Sequence, residues 1–344
     1  MANAEKPKKS KHILKITDMK TLNLTSALFI ALICLTVACK KDKTTGSIAN
    51  NVKEFTATFG AQKQVKEINA SSLPQTVTLS NGTKILFPIG SLTKGGVPVT
   101  GNVTVEAYEV LKRSTVLFTG ANTNHSSGAP LASDGFIFID VKSNGTSVDQ
   151  NLTVPVKISI PAKRTGVTQL WVGVDQENKP LVAAAGNQMG WAAPRQANGV
   201  GGKEVGADQA AFTFDFGALG WINCDVFYNH SNPKTTVTVD VLNNPGSFAN
   251  FRGFSGETFV FFCAKGSNVA AQLYTLNGTT GVKSYDNMMP IGSEGRMLSF
   301  SIKDGRYYYA ALETTITANQ HVVLTLTETT ETAVQDAINS LDNY

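Results

Sequence analysis

The sequence predicts an all-β protein: two or more β-sandwich domains in tandem, closed by a short C-terminal helix. Three observations carry this. Apolar residues recur at period two in short runs rich in Val, Thr and Phe, the pattern of half-buried strands. The 30 glycines of the 344-residue chain gather with Asn, Asp and Pro between those runs, where turns need them. A 3.6-residue period emerges only in the last stretch, TTETAVQDAINSLDNY, where Val334, Ala337, Ile338 and Leu341 share a helical face and Thr330 or Thr332 stands ready as N-cap.

Ahead of the β-rich body lies a segment of another kind. Leu22 to Ala38 is almost wholly apolar and uncharged, with Lys8, Lys9, Lys11, Lys15 and Lys20 before it, the layout of an export signal. The run falls short of the ~20 apolar residues of a spanning helix. It ends at Cys39, followed by Lys40, Lys41, Asp42 and Lys43. Leu35-Thr36-Val37-Ala38-Cys39 resembles the lipobox of bacterial lipoproteins of the Bacteroidota type, in which small residues precede a cysteine that takes a diacylglyceryl group and becomes the new N-terminus. The resemblance implies a signal peptide over 1–38, or from Met19 if translation starts there. It also implies lipidation of Cys39 with palmitate-like chains. Lys40 stands where an inner-membrane retention signal would have Asp, so the implied address is the outer membrane, on its periplasmic or cell-surface face. Two or more acyl chains anchor firmly where one does so marginally. Residues 39–52, with the polar run KKDKTTGSIANN, then read as the lipidated cysteine and a flexible tether.

Charge narrows the partners. The chain has 30 basic and 26 acidic residues, but six lysines and two acids fall within the first 38, leaving 24 of each sign and no net charge afterwards. Such a body has no basic stripe for nucleic acid. Two cysteines follow Cys39, namely Cys224 and Cys263. In an oxidising envelope they are a disulfide candidate; two buried strand-borne thiols are the alternative.

Residues 53–161 read as the first sandwich. Strands are expected at Glu54–Phe59, Gln75–Leu79 and Thr83–Phe87, the last two joined by Ser80-Asn81-Gly82, a hairpin signal because Asn and Gly tolerate positive φ. Gly101–Leu111 follows, with Val103, Val105, Ala107 and Val110 on its apolar side. Asp134-Gly135 precedes FIFIDV, another strand, Asn144-Gly145 makes a turn, and Leu152–Ile160 alternates up to Pro161. The order TKILFPIGSL, GNVTVEAYEV, PLASDGFIFIDVKSNGTSV, LTVPVKISIP is similar to the bacterial cousins of ZU5 domains. That likeness implies a β-sandwich without a catalytic centre, used for scaffolding.

Residues 162–230 form a second β region: a strand at Val167–Val174 carrying Trp171, then Ala211–Phe216 and Gly220–Tyr228, with the glycine-rich loop 186–208 between them. That loop is the longest irregular stretch and so a functional candidate, with Trp191 and Arg195 as candidate ligand contacts. Its Gly199-Val200-Gly201-Gly202-Lys203-Glu204 lacks the first glycine and the Ser or Thr of a phosphate loop, and no strand–helix frame surrounds it.

Residues 231–328 read as an immunoglobulin- or transthyretin-like sandwich with strands near Thr235–Val241, Thr258–Ala264, Met297–Ile302, Tyr307–Leu312 and Val322–Thr327. SIKDGRYYYAAL followed by QHVVLTLTET resembles the end of a transthyretin-type or carboxypeptidase-regulatory-like sandwich. Residues 329–344 complete the chain as the helix.

No metal or catalytic motif stands out. His125, His230 and His321 lack a second ligand at helical spacing, no G-x-S-x-G elbow is present, and no D-x-D-x-D-G loop accompanies Asp134, Asp149, Asp175 or Asp208. The expectation is a non-catalytic envelope lipoprotein without cofactor or metal, acting as a scaffold or adhesion module that contacts the membrane through lipid and meets an envelope protein. A surface glycan-binding lipoprotein is the second reading, marked by coplanar exposed aromatics. An envelope hydrolase is the third, and would need a histidine within reach of a Ser or Asp in a cleft.

Overall fold

The computed structural model describes residues 48–175, 190–194, 204–208, 210–250 and 256–344. It opens with helix α1 (Val52–Phe59), where the sequence predicts a strand over Glu54–Phe59. The reason lies in Asn51. Its side chain accepts the Glu54 N–H at 2.9 Å while Glu54 Oε2 accepts the Asn50 N–H at 2.8 Å, a reciprocal cap that starts a helix. Val52 and Phe55, three positions apart, then bury one face.

The strands that follow are β1 (Gln64–Asn69), β2 (Gln75–Thr78), β3 (Lys84–Phe87), β4 (Asn102–Val110), β5 (Leu131–Ser143), β6 (Asn151–Pro161), β7 (Val167–Val174), β8 (Gly190–Ala192), β9 (Glu204–Asp208), β10 (Ala211–Ala218) and β11 (Gly220–Phe227). Helix α2 (Arg113–Phe118) lies between β4 and β5. These strands join one antiparallel sheet in the order β1-β4-β5-β11-β7-β9-β10-β6-β3-β2, with β8 paired to β7. Its two edges, β1 and β2, are consecutive in the chain and linked by a 3-10 turn at Ala70–Ser72. Gln75 Nε2 donates across the gap to Asn69 O at 3.1 Å, so the sheet curls into a near-barrel. The boundary read at 161 and 162 does not separate sheets: β10 pairs with β6, and β11 with β5. One physical cause is that strands from both regions turn apolar residues toward the same interior. Ile85, Ala107, Ile139, Ile158, Phe212 and Ile222 fill it.

The Asn81-Gly82 hairpin forms as expected, with Gly82 at φ 98°. Buried Glu109 holds it from β4, accepting the Asn81 N–H at 2.8 Å and the Thr83 N–H at 3.0 Å. Asp134-Gly135 forms a bulge inside β5, where the pairing with β11 shifts between Cys224 and Asp225. Gly135 sits at φ 123°, and a Cβ there would meet Leu111 Cδ2 at 2.5 Å.

The rest of the chain supplies β12 (Thr238–Leu242), β13 (Thr258–Ala264), β14 (Ala271–Gln272), β15 (Thr275–Asn277), β16 (Gly281–Lys283), β17 (Glu294–Lys303), β18 (Arg306–Thr315), β19 (His321–Thr325) and β20 (Thr327–Thr329). One sheet runs β15-β16-β12-β19 and the other β14-β13-β17-β18-β20. Val239, Val260, Phe262, Met297 and Val322 pack between them. The centre of the second sheet, β13 and β17, is covered on both faces, which is why all of TFVFFCA in β13 is buried. Its far face, with Phe259, Phe261, Phe300 and Tyr307, packs with Phe55, Phe118, Phe136 and Trp191 in a core shared with the near-barrel. Helix α3 (Glu331–Ser340) closes that core with Val334 and Ile338, capped by Thr330, whose side chain accepts the Ala333 N–H at 3.1 Å. Residues Ile48–Tyr344 thus form one compact, mainly β unit. Among the described residues no helix is long and apolar enough to cross a membrane.

Candidate functional site

Cys39 and Arg195 lie outside the described residues, as does most of the loop 186–208. Trp191 does not present a face to ligand. It sits in β8 at 0% exposure, its ring 4.9 Å from Phe136 and its Nε1 donating to Asn122 O at 3.0 Å. Pairing with β7 places it there: Gly173 is its partner across the strands, and the β7–β8 pair lies over the shared core. Trp171 and Trp221, at 4% and 3% exposure, belong to the same core. Cys224 and Cys263 are free, buried thiols rather than a disulfide. Cys224 points into the near-barrel interior and Cys263 into the shared core, so the sheet wall stands between their environments. Burial pushes the Cys263 thiol up to about 12 and the Cys224 thiol well above its ordinary value.

The histidines occupy three different settings. His125 packs edge-on against Trp171 and Phe227, each at 5.1 Å, and burial lowers its pKa. Its Nδ1 lies 2.8 Å from Ser127 Oγ and also accepts the Ser127 N–H at 3.1 Å. The contact closes a local turn, and a ring nitrogen held by a main-chain N–H is poorly placed to take a proton from that hydroxyl. His230 packs on the same Phe227 at 4.8 Å. His321 bridges Thr238 Oγ1 at 3.0 Å and Asp240 Oδ2 at 3.4 Å across neighbouring strands on an exposed sheet face. Two of the four acidic residues have structural roles: Asp134 pairs with Arg164 at 2.7 Å, and Asp149 accepts the N–H groups of Gly95 and Gly96 at 2.8 and 2.9 Å, which holds its carboxyl below the usual range.

Two polar assemblies emerge that the sequence reading passes over. At the β5 bulge, fully buried Asp225 accepts the Asn223 amide N–H on Oδ2 at 2.7 Å, beside Ser133 and Asp134. Its Oδ1 has no hydrogen-bond partner in the protein, and burial pushes the carboxyl up to about 8. This group is held neutral by its surroundings.

The other assembly is a groove of about 540 Å³ where the start of α2, the chain just after β6, the turn after β13 and the C-terminal residues converge. Lys112 and Arg113 open α2, and Lys163 follows Pro161. Asp342 arrives from the 3-10 turn Leu341–Asn343 and caps α2 from afar, accepting Ser114 N–H at 2.9 Å and Ser114 Oγ–H at 2.8 Å. That remote cap replaces a local one, since Lys112 at the N-cap position makes no side-chain cap. Lys112 Nζ stands 4.0 Å from the Asp342 carboxylate. Arg113 is 4% exposed and donates Nη2 to the main-chain oxygens of Ser267 and Tyr344. The Tyr344 ring is flanked by Arg113 at 5.8 Å and Arg296 at 4.5 Å. Lys163 donates its ammonium to Leu111 O. Burial lowers the pKa of both Arg113 and Lys163, so each charge is held in a shielded place. The groove thus brings three cationic side chains and the Asp342 carboxylate to one place. Its only sequence signals are two basic pairs at strand ends, Lys112-Arg113 and Lys163-Arg164, and nothing in their spacing links them to residues 266–268 or 341–344.

Comparison with family models, with curated proteins and with solved structures returns no match for this chain.

Proposed function

We propose that this protein is a non-catalytic cell-envelope lipoprotein, held at the outer membrane through lipid on Cys39 and serving as a scaffold or protein-interaction module. The observation that carries the reading is the way the body receives its tether. Ala49 is buried, its N–H donating to Glu331 Oε2 at 2.9 Å and its carbonyl accepting the Tyr307 hydroxyl at 2.8 Å, while Gly305 N–H donates to Asn50 O at 2.9 Å. The end of the expected tether, residues 49–52, is thus fixed on the shared core rather than flexible, as suits a unit displayed from an anchor. The ZU5-like and transthyretin-like resemblances belong with this reading, since such sandwiches serve as contact modules. The inward tryptophans weigh against the glycan alternative, which calls for coplanar aromatic faces on one surface.

The test is metabolic labelling with palmitate in a bacterial host, followed by membrane fractionation. The intact protein is expected to carry label and to partition with the outer membrane, and Cys39→Ser is expected to lose both. Label that persists in Cys39→Ser, or that never enters the intact chain, overturns the proposal.

A further inference from the structure

We propose that Asn144 is a site of spontaneous modification, its side-chain amide being lost through a cyclic imide to leave aspartate and isoaspartate at the tip of the hairpin that ends β5. The inference goes beyond the scaffold reading and does not depend on the tether. The Gly145 main-chain nitrogen attacks Cγ of Asn144 and gives up its proton, ammonia leaves, and water then opens the five-membered ring at either carbonyl. Water is the one co-reactant.

The chain holds its own control. Ser-Asn-Gly-Thr occurs twice, at 80–83 and at 143–146, so the two asparagines share their immediate neighbours and differ in how the fold holds them. At the second copy Ser143 pairs with Thr146, and Asn144 and Gly145 form the two-residue turn between them with φ of 51° and 77°, the signs of a type I′ turn. Asn144 is exposed, and a Cβ on Gly145 would have nothing within 4 Å. Among the described residues, neither the Gly145 N–H nor the Asn144 carbonyl takes part in a hydrogen bond. The peptide unit between the two residues can therefore turn over without breaking a bond of the hairpin. Closing the imide ring brings Cβ of residue 144 in line with the attacking nitrogen about the Cα–C bond, which sets ψ to about −120°. With φ already positive, that is the first central position of a type II′ turn, the other favoured two-residue hairpin turn. The reaction exchanges one hairpin turn for another and leaves Ser143 paired with Thr146.

At the first copy the same tetrapeptide is clamped. The Gly82 N–H, which would supply the nucleophile, donates to Leu79 O at 3.1 Å, and Glu109 accepts the N–H groups of Asn81 and Thr83 at 2.8 and 3.0 Å. Ring closure there has to break the Gly82 bond and disturb two bonds to a carboxylate, which are stronger than neutral ones. Asn277-Gly278 starts from strand backbone, with Asn277 paired to Gly281 in the ladder between β15 and β16. Asn198-Gly199 lies outside the described residues.

The experiment is peptide mapping by mass spectrometry of the full-length Cys39→Ser protein, incubated folded in heavy-oxygen water at mildly alkaline pH, with a parallel incubation in urea. The heavy oxygen marks each carboxyl formed during the incubation, and fragmentation at the N–Cα bond separates aspartate from isoaspartate. In the folded protein, label is expected at residue 144 in both forms, entering about tenfold or more faster than at residue 81, where the clamp must first open. In urea, with the clamp gone, the two copies should react at equal rates. Asn144 reacting no faster than Asn81 in the folded protein, aspartate formed without isoaspartate, or a difference between the two that persists in urea overturns the proposal.

Discussion

Replacing Asp225 with Asn should make the protein more stable at neutral pH and flatten its dependence on pH. Burial raises this carboxyl from an ordinary 3.8 to about 8. Between those values the folded chain holds a proton that the unfolded chain has released. Proton uptake by the folded state means that stability falls as pH rises through this window, by up to ~1.4 kcal/mol per pH unit for one group. From pH 5 to pH 7 the native protein should therefore lose about 2–3 kcal/mol through Asp225 alone. Groups with lowered values, such as Glu106 beside Lys142 and Glu257, have the opposite sign: their stabilisation is present above the usual carboxylate range and lost as the pH falls. Subtracting the profile of Asp225→Asn from that of the native chain removes their contribution, because the amide variant lacks only the one titration. Urea unfolding at pH 4, 5, 6 and 7 gives both profiles. The difference should be small at pH 4 and grow steadily toward pH 7. A difference that stays constant with pH would refute the assignment of a buried, neutral Asp225.

Phe55 stands between Phe59, Phe118 and Tyr307 at centroid distances of 5.0, 5.7 and 6.1 Å, so Phe55→Ala should cost about 3–5 kcal/mol in denaturant unfolding, and a loss below about 1 kcal/mol would show that α1 is not part of the shared core. Cys224 and Cys263 should be inert to a thiol reagent in the folded protein and both reactive once it is unfolded without reductant; unfolded protein yielding neither thiol would mean that they are bonded. Tyr307→Phe removes the hydroxyl that stands 2.8 Å from Ala49 O and 2.6 Å from Glu331 Oε2, and should cost about 1–3 kcal/mol, with faster protease cleavage near residues 48–52 than in the native chain; unchanged cleavage would place the tether's fixation elsewhere.

The strands were legible wherever alternation met a turn signal. TFVFFCA became β13 within the predicted limits, and Asn81-Gly82 and Asn144-Gly145 made their turns with positive φ. Helix α1 escaped because Phe55, Ala57 and Phe59 also alternate, while the Asn51 to Glu54 cap that outweighs that pattern involves only two polar residues. The joining of regions 53–161 and 162–230 escaped because no local signal records that Phe212 pairs with Ile160 or Trp221 with Phe138. Trp191 was misjudged for a related reason: a glycine-rich neighbourhood resembles a loop, and only the partner strand β7 turns that residue inward. The groove was the least visible feature. Its cations and its acid come from segments as much as 230 positions apart, and they meet only when Asp342 caps α2.

The most direct test of the account as a whole is the intact mass of the protein extracted from bacterial membranes. A lipid-anchored body requires a chain that begins at Cys39 and carries the added mass of a diacylglyceryl group and a further acyl chain. A mass that retains residues before Cys39, or that shows an unmodified N-terminal cysteine, would contradict it.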